Sequence, residues 1–298
     1  MSGAPALRAG FSRESHPRAI WWVILLGYAI AYVPVYLAAA SGIWQDDNHA
    51  HGALVLAVVL WLFWTIKGDI HQADVNPAPA LGWLIFIFGL CVYVMGRIVG
   101  ISILEFGSQP FVLTGLLLLL KGTKALRFAL FPILYTVFMI PLPGIFVDMA
   151  TGPLKGWISS IVTDGLYLVG YPISRTGVTI TIGQYQMLVA DACSGLHSMF
   201  SLAALGTLYM FILNRKSRLH NALMLVSILP IAFVSNLVRV TFLVLITYHL
   251  GDEAGQGFLH GAAGMVLMVV ALMGFFALDN ILAILFTKNI RENVGERY

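Results

Sequence analysis

Long apolar runs recur along this chain, and the basic residues between them fall almost wholly in alternate connectors. About 20 apolar residues suffice for a helix to cross the hydrocarbon of a bilayer. Backbone polar groups inside lipid must be satisfied within the segment, which favours helices. Such runs occur near 20–40, 50–66, 80–100, 110–120, 125–147, 194–213, 222–249 and 258–286. Only 10% of the residues are charged, against about 25% in soluble domains. With both termini inside, the inner segments hold Arg8, Arg13, Arg18, Lys67, Lys121, Lys124, Arg127, Arg215, Lys216, Arg218, Lys288, Arg291 and Arg297, most of the 17 basic residues. The outer segments carry mainly acids: Asp46, Asp47, Glu105, Asp148, Asp164, Asp191, Asp252 and Glu253. Lysine and arginine bias in short loops sets orientation. The expectation is an all-α polytopic membrane protein with about eight transmembrane helices.

On this reading 1–298 is a single membrane-embedded domain, with cytoplasmic tails at 1–19 and 287–298 and a long outer segment at 148–193. Within that segment Leu154 to Gly170 is apolar but carries Lys155, Ser159, Ser160 and Asp164, which suits an interfacial helix on the outer face. Val178 to Ile182 alternates, Gly183 interrupts, and Tyr185 to Val189 resumes, the pattern of a short β-hairpin. Pro34, Pro132, Pro141, Pro143 and Pro230 mark kinks or ends of spans. The net charge of +3 is spread over short connectors and points away from nucleic acid. The lipid bilayer is the first partner. No motif asks for a metal or another cofactor, and Cys91 and Cys193 do not make a disulfide framework.

Ionisable groups in spans are expensive and mark functional sites by default. Cys193 falls at the outer start of the sixth span, Arg239 in the outer half of the seventh, and His260 at the outer start of the eighth. Asn236 precedes Arg239 by three residues and shares its helical face. His51, followed by Gly52, opens the second span. Topology thus brings residues distant in sequence towards one membrane surface. Each also has a structural reading: the cysteine as apolar filler, Arg239 as a partner for Asp191, His260 and His51 as interfacial polar groups. Asp279 and Asn280 are expected to reach the cytoplasmic interface, and Arg97 to snorkel.

Together these types make chemical sense. A thiolate is the nucleophile, and a helix amino terminus, a cation and a histidine all favour it over the thiol. Cys193 would attack a peptide carbonyl to form a thioester, with a histidine protonating the leaving amine. Arg239 would stabilise the oxyanion. Asn236 would orient Arg239, and Gly195 would let substrate backbone approach. His197, four residues after Cys193, is an alternative base. His260 is preferred because His197 sits one turn deeper and points away from the substrate entrance.

The run Ala192-Cys193-Ser194-Gly195-Leu196, the block Asn236-Leu237-Val238-Arg239, and His260 with Gly264 after it resemble the exosortases, membrane cysteine transpeptidases of Gram-negative bacteria related to the archaeosortases. His51-Gly52 and Pro141-Leu142-Pro143 add to the likeness, which runs from about 20 to 286 and is greatest to B-type exosortases. It implies cleavage of exported proteins whose carboxy termini carry a Pro-Glu-Pro motif, a transmembrane helix and a basic cluster, in cells that make exopolysaccharide. It implies a bacterial inner-membrane location with the active site facing the periplasm, Cys193 as nucleophile, Arg239 as stabiliser and His260 as general acid/base. Asp191 stands where a glutamate is expected, with charge retained. Two other classes compete: a transporter or channel with a buried arginine, and a haem-binding membrane protein drawing on the 8 histidines.

Overall fold

The computed structural model describes residues 18–46, 49–142, 144–188, 196–213, 215, 217–251 and 258–295. The protein is an all-α multi-pass membrane protein with one small sheet. Two compact units divide it, residues 1–141 and 142–298.

The first unit holds α1 (Arg18–Ser41), α2 (His51–Gln72), α3 (Pro79–Val99), α4 (Ser102–Leu120) and α5 (Thr123–Tyr135), the last prolonged by a 3-10 turn at Thr136–Met139. Its tightest feature is the α3/α4 hairpin, whose helices meet through glycine. Gly82, Gly89 and Gly96 recur every seventh residue on α3 and are buried. A Cβ at Gly82 would lie 2.8 Å from Leu119 Cγ, at Gly89 2.9 Å from the Val112 nitrogen, and at Gly96 2.8 Å from the Glu105 nitrogen. Gly115 of α4 returns the arrangement, lying against the Phe86 backbone. Without a hydrophobic force between helices in lipid, close backbone approach through small residues supplies the packing energy. The seven-residue spacing keeps one stripe of α3 facing α4 along the whole hairpin.

Hydrogen bonds attach α1 to this hairpin. Tyr32 and Tyr36, one turn apart, bond to Ser108 Oγ (2.7 Å) and Gln109 Oε1 (3.0 Å) of α4. Tyr93 of α3 donates to the Ala31 carbonyl at 2.6 Å. Arg97, expected to snorkel, is half-exposed and donates to Glu105 Oε1 at 3.1 Å across the hairpin.

The second unit comprises α6 (Gly144–Leu168), β1 (Ile173–Thr176), β2 (Thr179–Ile182), β3 (Tyr185–Leu188), α7 (Leu196–Leu213), α8 (Arg218–Leu250) and α9 (Phe258–Gly295). Its strands form an antiparallel sheet in the order β1-β2-β3. The expected hairpin is present with a third strand added in front. Two-residue turns join the strands, with Gly177 (φ 63°) and Gly183 (φ 57°) taking the left-handed conformation that hairpin turns of this length require. Ile158, Val162 and Leu166, one turn apart on α6, pack with Ile173, Ile180 and Ile182 of the sheet and Val240 and Val244 of α8. The opposite side of α6 leaves Trp157 and Leu168 exposed, the latter at 85%. A second core joins Leu202 of α7, Met224, Ile228 and Ala232 of α8, and Leu267, Ala271 and Phe275 of α9.

Among the described residues, 6 helices are long and apolar enough to cross a membrane: α1, α2, α3, α4, α8 and α9. Of the other expected crossings, 125–147 does not meet that measure, and 194–213 lies partly outside the described residues. The first is cut by the 3-10 turn and Pro141, and α7 contributes the shorter apolar stretch Phe200–Leu213. The fourth span begins at Ser102, well before the densely apolar stretch.

The glycine stripe yields a direct test. Gly89→Leu should destabilise the first unit by about 2 kcal/mol or more, the range for overpacking, and lower the melting temperature in detergent. Gly27→Ala, where a Cβ meets nothing within 4 Å, should leave it unchanged or slightly raised, since alanine favours helix.

Candidate active site

Helix α8 carries most of what can be described of the site. It starts at the N-cap Ser217, whose side chain accepts from the His220 N–H at 3.3 Å, and its end is followed by Gly251 at φ 89°. One face is buried throughout: His220, Met224, Ile228, Ala232, Asn236, Val240 and Val244 recur every fourth residue. Arg239 and Leu243 widen this stripe. Asn236 is 1% exposed and Arg239 5% exposed. Both lie where α8 passes from the core shared with α7 and α9 to the core shared with α6 and the sheet. Burial of a guanidinium at such a seam is costly unless it serves a partner or a reaction.

The opposite end of the helix pair is held by a charged cluster. Asp279 of α9, 3% exposed, accepts from Arg215 Nη2 at 2.6 Å and Arg215 Nε at 3.2 Å. His220 Nε2 lies 2.8 Å from the same carboxylate. Asp279 thus does not reach out to the interface as expected; it is the buried centre of this cluster. Its hydrogen bond and charge hold the Arg215 guanidinium above its ordinary pKa.

This contact sets the relative height of two predicted site residues. His220 precedes Arg239 by as many residues as His260 precedes Asp279. The helices run antiparallel, so equal steps outward from the His220–Asp279 contact bring the backbones of Arg239 and His260 to the same level. That level is about 28 Å from the cluster at 1.5 Å per residue. The approach of Gly274 to Ile231, where a Cβ would lie 3.1 Å from Ile231 Cγ2, places His260 six residues further out, about 9 Å. His260 therefore sits between the levels of Arg239 and Leu245 along α8.

The backbone of His260 is the third residue of α9 and that of His197 the second of α7; their side chains lie outside the described residues. Asp191, Cys193, Ser194, Gly195 and Pro143 lie outside them altogether. The described chain enters their segment from β3, whose Met187 packs on Leu243 of α8, and resumes in α7, which shares the core of α8 and α9. His51 belongs to the first unit, half-buried at the head of α2. Its neighbour Gly52 has a packing reason: a Cβ there would overlap the indole of Trp44. Further out, Tyr171 OH and His249 Nε2 lie 3.3 Å apart.

Residues 43–277 match the family described as transmembrane exosortase. That span covers most of the chain, and the protein belongs to this family. Family membership carries a transpeptidase-type role in the membrane. No match was found among curated proteins or among solved structures.

Asp279→Ala would leave His220 and Arg215 without their shared carboxylate. Breaking a buried ion pair costs about 3–5 kcal/mol, and the partial exposure of Arg215 puts this case near the lower end. Thermal unfolding in detergent should show a clear fall in Tm, with a smaller fall for Asp279→Asn, which keeps the shape and one acceptor.

Proposed function

We propose that this protein is a cysteine transpeptidase or protease that cuts the carboxy-terminal tails of exported proteins at the outer face of the bacterial inner membrane. The substrates are proteins ending in a Pro-Glu-Pro motif, a transmembrane helix and a basic cluster. The observation that carries this reading is Arg239, a nearly inaccessible arginine beside Asn236 on the helix that packs against the strand leading to Cys193. The His260 backbone on α9, at a level between Arg239 and Leu245 of α8, supports it further.

Membrane depth agrees. From Arg218 at the start of α8 to Arg239 is about 31 Å at 1.5 Å per residue, close to the roughly 30 Å of a hydrocarbon core. With the basic end of α8 at the cytoplasmic surface, Arg239 stands at the outer edge of the hydrocarbon. The sheet then packs around the turns that rise beyond it. A substrate entering by its own transmembrane helix would present the residues just outside that helix at this height.

The chemistry follows. The Cys193 thiolate attacks the carbonyl carbon of the scissile peptide bond, and the carbonyl oxygen becomes an oxyanion facing the Arg239 guanidinium. Collapse breaks the C–N bond, and His260 as imidazolium gives its proton to the departing amine. The amine leaves with the membrane tail, and the exported portion remains as a thioester on Cys193. Water resolves it in hydrolysis and an acceptor amine in transpeptidation. Asn236 orients Arg239 from the preceding turn.

Co-expression with a reporter bearing such a tail, read as tail loss on a gel, tests this reading. Cys193→Ala and His260→Ala should abolish processing at matched membrane abundance. Arg239→Ala should lower it by about 100-fold or more, the cost of removing one oxyanion donor. His197→Ala should retain it. Processing that survives Cys193→Ala would end the thioester mechanism.

A further inference from the structure

The small sheet has an open side next to this site. In a two-residue hairpin the residues flanking the turn form a hydrogen-bonded pair, and bonding then alternates along the ladder. From the turn at Gly183-Gln184, the bonded pairs of β2 and β3 are Ile182 with Tyr185 and Ile180 with Met187. From the turn at Gly177-Val178, Thr179 and Thr181 of β2 are committed to β1. Each β2 residue is used once, and Gln186 and Leu188 of β3 turn their N–H and C=O away from the sheet. No backbone hydrogen bond among the described residues reaches either of them from that side. Their side chains are exposed, while Tyr185 and Met187 pack inward. The far edge is less open: the Ile173 N–H on β1 already donates to the Tyr171 carbonyl at 2.9 Å.

An edge strand with free backbone groups is a template for a further strand. We infer that the outer edge of β3 is the docking strand for the extended segment of the substrate ahead of its scissile bond, held by main-chain hydrogen bonds to Gln186 and Leu188. This rests on the proposed transpeptidase reading and says how that substrate is gripped. Continuity supports the occupant: β3 packs on α8 one turn beyond Arg239, and its last residue, Leu188, precedes Cys193 by only five positions in the chain.

The stereochemistry of a Pro-Glu-Pro segment fits this edge. Residues two apart in a strand direct their N–H groups to the same side. Bonded to β3 through the N–H and C=O of its glutamate, the motif turns both prolines outward, where an edge strand tolerates the missing donors. Its prolines would in turn discourage the pairing of yet another strand.

Two measurements test the inference. Gln186→Pro removes the outward N–H and leaves the β2–β3 ladder intact. It should raise the substrate KM by about tenfold, the order expected for one lost backbone hydrogen bond, with kcat little changed. Arg175→Pro, at an outward position of β1, should leave KM unaltered. In a Cys91→Ala, Cys193→Ala background, Gln186→Cys should form disulfides with single cysteines placed along the substrate segment, in yields alternating with a period of two.

An unchanged KM for Gln186→Pro together with cross-links lacking that period would overturn the docking edge. If Gln186→Pro lowers membrane abundance, the cross-link period decides alone. Wild type that cuts the reporter without periodic cross-links removes this inference and keeps the proposed reaction. Periodic cross-links beside a reporter that wild type leaves whole keep the docking edge and remove the reaction.

Discussion

The contact between His220 and Asp279 governs the second unit. A carboxylate and an imidazole buried between two membrane helices cannot slide past one another without exposing uncompensated polar groups to a poor solvent. Hydrophobic side chains alone would tolerate a shift of one turn, because leucine against alanine is much the same contact at the next layer. The polar cluster removes that freedom. With Arg215 clasping the same carboxylate from the connector before α8, α8 and α9 are locked in register. The heights of Arg239 and His260, nearly 30 Å away by helix rise, follow from that lock.

The first unit settles the same problem differently. Its α3/α4 hairpin uses glycine where a Cβ would collide with the opposite backbone, so register is set by shape. Tyrosine hydroxyls then bind α1 to it: those of Tyr32 and Tyr36 find partners on α4, and that of Tyr93 on α3 donates to the Ala31 carbonyl of α1. A charged cluster resists sliding by the penalty for separation, and a glycine stripe by the collision that follows any misplacement. Both are answers to a medium in which burial of apolar surface offers little preference between packings.

Much of this was legible in the chain. Apolar runs and basic connectors announced a polytopic helical protein, and the alternation from Val178 onward announced strands. The third strand, Ile173–Thr176, was hidden because only Ile173 of it is buried, so no alternation marks it. The start of α4 was only weakly marked, for the opposite reason, although Ile101 to Leu113 could be read as completing the short run at 110–120. Glu105, Ser108 and Gln109 depress its hydropathy, yet they are buried against Arg97, Tyr32 and Tyr36. An intramembrane arginine drew attention to Arg239 without any structure. Asp279 did not stand out, because its meaning depends on residues some sixty positions earlier in the chain. The regular spacing of Gly82, Gly89 and Gly96 is plain in the sequence, but only the opposing backbone of α4 gives it a purpose.

Helix α8 is one unbroken element of 33 residues, about 50 Å at 1.5 Å per residue and so far longer than a bilayer core is thick. Its lower turns belong to the helix–helix core and its upper turns to the sheet. A long span accommodates a change in lipid thickness by tilting, and Pro230 midway along α8 is a point where its outer turns can bend, so a tilt moves whatever is mounted on its tip. The three strands ride on that tip as cargo on a lever. Because the sheet also packs on α6, a tilt of α8 would carry α6 and the strands with it.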